Sequence, residues 1–314
     1  MKIAVMGAGG IGSYLGALLA HAGNEVALVC RGSHLQAIRA RGLRVLKDGA
    51  QFQAPGLWAT DDPAQVGVVD VVIAGVKLYG LAQAAAQMIP LIGPQTMVVP
   101  IQNGVSAHET IDAALGAGHA VGGTVFVSST LAEPGVVVAR GKTDRLVFGE
   151  IDGTLSLRAL AFAQACRSAG IEAVASGAIL RDMWEKFVVI TGTSAVCCLA
   201  RQSLGHVCAD PALSALMLQG MQETMRVAEA LGIAVASDTD RKGMAFNRSV
   251  AYDTRVSMLE DIESGRPTEL AWLSGHVARM AIGLEVAAPL HTVADACLSP
   301  YSQGRPPPDR QPQP

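Results

Sequence analysis

Residues 3–12 read IAVMGAGGIG, an apolar run followed by a glycine-rich segment that matches the pattern G-x-G-x-x-G. The apolar run predicts a buried strand, and the residues after it have the periodicity of a helix. Gly7 would permit a tight turn, Gly9 would let a pyrophosphate approach the helix N-terminus, and Gly12 would let the helix pack against the strand. The strand before the motif and the helix after it favour a dinucleotide-binding βαβ unit over a glycine-rich turn without a ligand.

The residues just after the second predicted strand, Glu25–Val29, indicate which dinucleotide binds. NAD-specific folds usually carry an acidic residue there, whereas this chain has Arg31 and no acid between Leu28 and Lys47. An arginine can bind a 2′-phosphate with two parallel hydrogen bonds, although it could also be a solvated surface residue. We therefore expect NADPH as the cofactor, bound by Gly7, Ala8, Gly9, Gly10, Ile11, Gly12 and Arg31.

The length of 314 residues suits two domains of about 150 residues each. Alternating strand and helix patterns in the first half predict an α/β fold with a Rossmann-type doubly wound sheet. After residue 177 the strand patterns stop and helical patterns dominate. We therefore expect a dinucleotide-binding domain at 1–176, an all-helical C-terminal substrate and catalytic domain at 177–300, and a proline-rich, disordered tail at 301–314.

The individual elements follow from the same patterns. Strands are expected at residues 3–6, 25–29, 68–76, 97–101, 121–127, 136–139 and 145–149, with a hairpin at 43–58. A last helix and strand of the first domain are expected within 155–174. In the second half, helices are expected at 179–202, 209–232, 252–264 and 268–284.

Composition and charge exclude several classes of partner. The net charge is −3 and aromatic residues make up 4% of the chain, which argues against nucleic acid and anionic membrane surfaces as partners. The six cysteines have no zinc-like spacing and are typical of buried thiols in a cytoplasmic protein. The scattered histidines predict no metal, and we expect neither a signal peptide nor a transmembrane helix. The helical half could form a homodimer through apolar helix faces.

Further motifs accompany the glycine loop. They are GVK at 75–77, QNG at 102–104, MWEK at 183–186, SMLEDI at 257–262 and GRPTEL at 265–270. With RGSH at 31–34, they make the chain similar to the ketopantoate reductase (2-dehydropantoate 2-reductase) family over about residues 1–298. The combination is specific, although no single motif would be.

The resemblance and the residue chemistry imply a ketone-reducing site. Lys77 and Asn103 follow strands at the sheet edge where ligands bind. Lys77 would add positive charge near the cofactor or the substrate carboxylate, and Asn103 would face the nicotinamide and the substrate. Lys186 begins an apolar helix, where desolvation can lower its pKa toward that of a general acid. In the family this lysine is the general acid; Glu269 corresponds to an acid that positions it from a later helix, and Ser257 to a serine that contacts substrate.

The chain departs from the family pattern at the substrate end. The family carries asparagines one and two helical turns after the catalytic lysine, where this chain has Ile190 and Ser194. A further asparagine, five residues after Glu269, is Ser274 here. Ile190 has no side-chain hydrogen bond to offer the distal hydroxyl of ketopantoate, which favours a more apolar pocket.

The leading hypothesis is an NADPH-dependent 2-oxo acid reductase, with ketopantoate reduction to pantoate in pantothenate biosynthesis as the first expectation. Ile190 motivates an alternative, the reduction of another branched or aromatic 2-oxo acid. A second alternative is a non-catalytic NADP-binding sensor, which the presence of both Lys186 and Glu269 argues against.

Overall fold

The computed structural model describes residues 1–304, with the side chains of residues 142 and 143 left out of the description. The chain divides into two compact units, of which the first is Met1–Leu180 and the second begins at Arg181. Within the described residues the strands are β1 (Lys2–Met6), β2 (Glu25–Val29), β3 (Arg44–Lys47), β4 (Ala50–Gln53), β5 (Trp58–Thr60), β6 (Val71–Ala74), β7 (Met97–Pro100), β8 (Gly122–Glu133), β9 (Val136–Gly149) and β10 (Glu172–Ala175). The helices of the first unit are α1 (Gly10–His21), α2 (Gly32–Arg41), α3 (Leu81–Gln87), α4 (Ala107–Leu115) and α5 (Leu157–Ser168).

The first sheet has the strand order β5-β2-β1-β6-β7, and every pairing in it is parallel. Strands β6 and β7 are buried along their whole length, as expected for strands covered by helices on both faces. The chain order reverses across β1, so the loop after β1 lies at the switch point of the sheet. The expected Rossmann-type sheet is confirmed, with Trp58–Thr60 as an edge strand that the sequence pattern did not separate from the hairpin before it.

A second sheet, not expected from the sequence, has the order β10-β9-β3-β4, with β8 paired to β9. The strands expected at 136–139 and 145–149 are one continuous strand, β9, which pairs with β3 in its first part and β10 in its last. The intervening residues 140–144 read RGKTD and lack the apolar alternation that predicts a strand. Two register shifts in the β8–β9 pairing give this long hairpin its irregularity.

A buried polar contact fixes α1 against this second sheet. The Tyr14 hydroxyl donates to the Asp144 carboxylate over 2.7 Å, and the Lys47 ammonium donates to the same carboxylate. Burial raises the pKa of Tyr14 to about 12, so the phenol stays protonated and remains a donor. Asp144 of β9 thus anchors α1, the helix that follows the glycine loop, and Lys47 of β3 binds the same carboxylate.

The second unit is helical, as expected. Its helices in the described residues are α6 (Ile179–Ala200, which starts in the last two residues of the first unit), α7 (Leu204–Ala209), α8 (Pro211–Ala230), α9 (Thr239–Ser249), α10 (Ser257–Glu263), α11 (Ser274–Gly283) and α12 (Pro289–Leu298). The predictions missed α7, α9 and α12. Helix α9 was missed because its buried face includes the polar residues Thr239, Asp240 and Asn247, which weakens the apolar period.

Two expectations at the C-terminal end were wrong. The helix expected at 268–284 is interrupted at Leu273, whose φ and ψ are −107° and −106°, so a 3-10 helix at Leu270–Trp272 precedes α11. Disorder was expected from residue 301 onward, and this expectation is corrected for residues 301–304. Tyr301 ends a 3-10 helix and lies 4.3 Å below the guanidinium of Arg201, and Gln303 forms a bridge with Pro267. Residues 305–314 lie outside the described residues.

Helix α6 is long and apolar enough to cross a membrane by length and composition. However, 67% of its most apolar window is buried, and its first turns carry Arg181, Asp182, Glu185 and Lys186. Val188, Val196 and Cys197 of α6 pack in one apolar cluster with Met217 and Met221 of α8. This is the arrangement of a core helix.

The cysteines differ in part from the expectation of buried thiols. Cys30, Cys166, Cys197 and Cys198 are buried, whereas Cys208 is half-buried and Cys297 is exposed; all six are free thiols. Cys297 was misjudged because a single residue near the end of an amphipathic helix carries no signal of which face it occupies.

Candidate active site

The glycine loop follows β1 and turns directly into α1. Gly7 has φ +92°, and a Cβ there would lie 2.5 Å from a methyl group of Val76, so both conformation and space require glycine. A Cβ on Gly12 would lie 2.7 Å from the carbonyl oxygen of Gly7. The roles that the sequence predicted for these two glycines, a tight turn and close helix packing, agree with this geometry.

Gly9 occupies the N-cap position of α1, and it is the residue at which the structure leaves room for a ligand. Apart from Gly9 and its two chain neighbours, none of the described atoms lies within 4 Å of the position that a Cβ on Gly9 would take. The first turn of α1 contains no acidic residue, and no side chain caps it. An open space at an uncapped helix N-terminus fits a pyrophosphate.

Gly10 has a different reason to be glycine. A Cβ there would lie 2.5 Å from the carbonyl oxygen of Ser129 in β8. The absence of a side chain at Gly10 therefore lets β8 approach α1. This packing role was not visible in the sequence, because β8 lies more than a hundred residues further along the chain.

Arg31 is exposed at the N-cap position of α2. Its Nη2 donates to the side-chain oxygen of Gln87 over 3.0 Å, which ties the guanidinium to the last residue of α3. The first turn of α2 has no acidic residue and no side-chain cap. Arg39, in contrast, donates to the carbonyl oxygen of Ala59 and pairs with Asp61 at 3.4 Å. Of these two arginines, Arg31 is the one placed beside a helix N-terminus, where an anion is favoured.

Lys77 and Asn103 lie at the carboxyl edge of the first sheet, after β6 and β7, and both are half-buried. The side-chain nitrogen of the buried Gln102 donates to the carbonyl oxygens of Ala74 and Val76, at 2.9 Å each. Gln102 thus ties the ends of the two strands together beside Lys77 and Asn103. The sequence motif included Gln102, but its positioning role was missed because a glutamine gives no sign of which backbone groups it will reach.

Lys186 lies in the second turn of α6 and is half-buried. Removal of water by the surrounding protein lowers its pKa to about 8, and the Glu269 carboxylate raises it in opposition. Glu269 is buried and precedes the 3-10 helix Leu270–Trp272. The structure therefore brings together the two residues expected to act as acid and positioning group. The expectation that Glu269 belongs to a helix is corrected, because it only caps a 3-10 turn.

Two aromatic residues flank Lys186 in the sequence of α6. Trp184 and Phe187 are buried and meet edge to face with ring centroids 5.4 Å apart, and Phe187 also meets the ring of His276. Glu185 faces elsewhere, since its carboxylate accepts from the backbone nitrogen of Ala236.

The residues expected to contact substrate have unequal environments. Ile190, one turn after Lys186, is half-buried, whereas Ser194, two turns after it, is 7% exposed. Ser257 is exposed as the first residue of α10. Ile190 therefore lies one turn from Lys186 on the same helix face, and part of its surface is accessible to solvent.

Ser274 is fully buried and belongs to a polar network within the helical core. Its hydroxyl lies 3.2 Å from His291 Nδ1, and His291 Nε2 contacts both the Thr224 hydroxyl and the Gly220 carbonyl oxygen. Thr224 in turn contacts Thr191 of α6 at 2.9 Å. A serine with this burial and this partner has a structural role, although its position corresponds to a family asparagine.

Metal-ligating side chains do not cluster in the part of the chain that the structure describes: no group of three or more His, Cys, Asp or Glu could hold an ion there. The absence of a metal from the reaction remains a prediction.

Comparison with known proteins gives matches along nearly the whole chain. Residues 3–153 match the sequence profile described as ketopantoate reductase PanE/ApbA, and residues 178–301 match the profile of its C-terminal domain. A protein from Mesorhizobium japonicum named 2-dehydropantoate 2-reductase is 32% identical, covering 95% of this chain and 96% of its own. A Bacillus subtilis protein described as the uncharacterized oxidoreductase YkpB is 29% identical, covering 96% and 99%.

Solved structures give the same result. A putative ketopantoate reductase from Ralstonia solanacearum superposes with a TM-score of 0.87 at 31% identity, covering 97% of this chain and 98% of its own. A D-mandelate dehydrogenase, solved with NADH and anilino(oxo)acetate, superposes with a TM-score of 0.87 at 22% identity, covering 96% and 98%. The second likeness shows a shared fold alone.

Proposed function

Because this chain belongs to the ketopantoate reductase family and is an oxidoreductase, we propose that it uses NADPH to reduce a 2-oxo acid to a 2-hydroxy acid. Ketopantoate, reduced to pantoate as in pantothenate biosynthesis, is the substrate we propose first. The observation that carries the proposal is the desolvation of Lys186, which lowers its pKa to about 8 against the opposing effect of the Glu269 carboxylate. A proton donor with this pKa suits the reduction of a ketone near neutral pH.

The cofactor would be held by residues of the first unit. The open space at Gly9 would accept the pyrophosphate against the N-terminus of α1, and Arg31 with the start of α2 would bind the 2′-phosphate. Asn103 would orient the nicotinamide, and Lys77 would add positive charge at the same sheet edge. When bound, the reduced nicotinamide supplies the hydride that goes to C2 of the substrate.

Lys186 would donate the proton that the developing alkoxide requires. An ammonium group with a pKa near the working pH is mostly charged yet transfers its proton readily, and such catalysis contributes roughly 10²- to 10⁴-fold to a rate. Glu269 would favour the charged form of Lys186 and fix its position. Ser257 would contact the substrate, since it corresponds to the family's substrate-binding serine.

Ile190 supports a second candidate within the same chemistry. The half-buried isoleucine one turn from Lys186 offers apolar surface where an asparagine would offer two donors and an acceptor. Such a site would favour a branched or aromatic 2-oxo acid without a distal hydroxyl. A hydroxyl moved into an apolar pocket without a partner weakens binding, whereas a methyl group at the same place strengthens it.

A steady-state assay of NADPH oxidation distinguishes the candidates. The purified protein would be tested with ketopantoate, the analogue of ketopantoate that lacks the distal hydroxyl, and a branched and an aromatic 2-oxo acid. A higher kcat/KM for ketopantoate than for its analogue would support the first substrate, and the reverse order would support the second. Binding of NADPH without turnover of any 2-oxo acid would contradict both and favour an NADP-binding sensor.

A further inference from the structure

Three successive hydrogen bonds connect the turn between β8 and β9 to the glycine loop. The backbone nitrogen of Gly135 donates to His34 Nδ1 over 3.0 Å, His34 Nε2 lies 3.2 Å from the Ser13 hydroxyl, and that hydroxyl donates to the Ala8 carbonyl oxygen over 2.8 Å. We propose that His34 and Ser13 are positioning residues that hold the glycine loop in its cofactor-binding conformation. The inference rests on the proposed function, because it assumes that this loop binds a dinucleotide.

The donor and the acceptor of each hydrogen bond follow from the backbone groups at the two ends of the series. A backbone N–H can only donate, so His34 Nδ1 must accept and carries no proton. A carbonyl oxygen can only accept, so the hydrogen of the Ser13 hydroxyl points to Ala8. The Ser13 oxygen is then left to accept from His34 Nε2–H. Neutral histidine with its proton on Nε2 satisfies all three bonds, and burial, which lowers the pKa of His34, favours this neutral form.

The chain of bonds is buried at both side chains. His34 is 7% exposed and Ser13 is fully buried. Inside a protein an unpaired polar group is costly, so the loss of one member would leave its neighbours without partners. His34 is therefore a buried, hydrogen-bonded histidine and not a solvated surface residue.

The Ala8 carbonyl group directly precedes Gly9, the residue beside which the structure leaves open space at the N-terminus of α1. The N–H of Ala8 donates to the Val29 carbonyl oxygen over 3.3 Å, and its C=O accepts from Ser13. Together these bonds fix the peptide units on both sides of Ala8, and with them the orientation of Gly9. Glycine-rich segments lose much conformational entropy when they become ordered, so a loop fixed in advance binds its ligand more tightly.

Substitutions at the two side chains separate positioning from general stability. Ser13→Ala removes the donor to Ala8, and His34→Phe keeps the ring but removes both polar atoms. His34→Gln keeps an acceptor and a donor at a similar spacing and should rescue binding. Ile38→Ala provides the matched control, because Ile38 lies buried on the same helix α2 and has no part in the bonds to Ala8.

The measurement is the Kd of NADP⁺ by titration calorimetry, with the Tm of each variant recorded in parallel. We expect Ser13→Ala and His34→Phe to bind about 5- to 10-fold more weakly, and His34→Gln to bind within about twofold of the wild type. Ile38→Ala should lower the Tm and leave the Kd unchanged. Should His34→Phe fail to fold, Ser13→Ala tests the same bond to Ala8.

Two results would overturn the inference, and a third would remove its premise. Wild-type affinity in both Ser13→Ala and His34→Phe would show that the loop does not depend on these bonds. An equal loss of affinity in Ile38→Ala would show that only stability was affected. A wild-type protein that binds neither NADP⁺ nor NADPH would contradict the proposed function itself, and that outcome is read from the wild type alone.

Discussion

Burial of Lys186 and the carboxylate of Glu269 act on the lysine in opposite directions, and burial prevails, so its pKa falls from 10.5 to about 8. A general acid must be protonated to act, so reduction of the ketone should proceed below this pKa and decline as the pH rises through about 8. In the reverse direction the lysine must accept a proton, so oxidation of the hydroxy acid should increase over the same range. The pH dependence of kcat/KM in both directions tests whether Lys186 has this lowered pKa.

Glu269→Gln tests the cause of the pKa. Removal of the carboxylate removes the interaction that raises the pKa of Lys186, so the decline in the reductive rate should move to lower pH. Glu263→Gln is the matched control, because Glu263 is an exposed acid that pairs with Arg255 at 2.6 Å. A pH profile that is the same in Glu269→Gln and wild type would show that the two residues are not coupled.

Arg31→Ala should reduce the preference for NADPH over NADH. Loss of a charge-assisted contact to the 2′-phosphate should weaken NADPH binding by about 10-fold or more, and NADH binding should change little because NADH has no such phosphate. Arg41→Ala serves as the control, since Arg41 is exposed at the other end of α2. Fluorescence titration gives both affinities. The assignment fails if Arg31→Ala keeps its NADPH affinity, or if the wild type uses NADH and NADPH with equal efficiency.

Ile190→Asn should shift selectivity toward a substrate with a distal hydroxyl. An amide in place of the isoleucine provides a partner for that hydroxyl, so the ratio of kcat/KM for ketopantoate to that for its deoxy analogue should rise by about tenfold. Ile190→Val keeps the apolar surface and should leave the ratio unchanged. If Ile190→Asn also left the ratio unchanged, the side chain at this position would not contact the substrate.

Ser274→Ala should affect stability and not substrate binding. The substitution leaves the buried His291 without its 3.2 Å contact, which should lower the free energy of unfolding by about 1–2 kcal/mol. Denaturant unfolding and the KM for the 2-oxo acid are measured on the same sample. Ser299→Ala, an exposed serine that donates to the Ala296 carbonyl oxygen, is the control. A large rise in KM with unchanged stability would instead place Ser274 at the substrate.

Local patterns were sufficient for much of the fold. The glycine loop, β2 and the long helix α6 each combine a strong apolar period with clear end signals, and the structure has them within about two residues of their predicted bounds. Sheet β10-β9-β3-β4 was not predictable, because its pairings join segments far apart in the chain. The interruption at Leu273 was missed because it is a backbone feature within an otherwise helical pattern.

The candidate site was predictable where residue chemistry alone decides it. A lysine on an apolar helix implies a lowered pKa, and the structure gives that shift for Lys186. The contacts of His34 with Ser13 and of Gln102 with Ala74 could not be foreseen, because they depend on which backbone groups the fold brings near. The roles of the individual site residues, the cytoplasmic location and the homodimer remain predictions.

Lys186→Ala is the most direct test of the account. The variant and the wild type would be compared for NADPH oxidation with the best 2-oxo acid, together with NADPH affinity, and Lys242→Ala would be the control because Lys242 is exposed and pairs with Asp238 at 3.1 Å. We predict that Lys186→Ala binds NADPH as the wild type does but loses roughly 10²- to 10⁴-fold in kcat. Unchanged ketone reduction by Lys186→Ala would contradict the account.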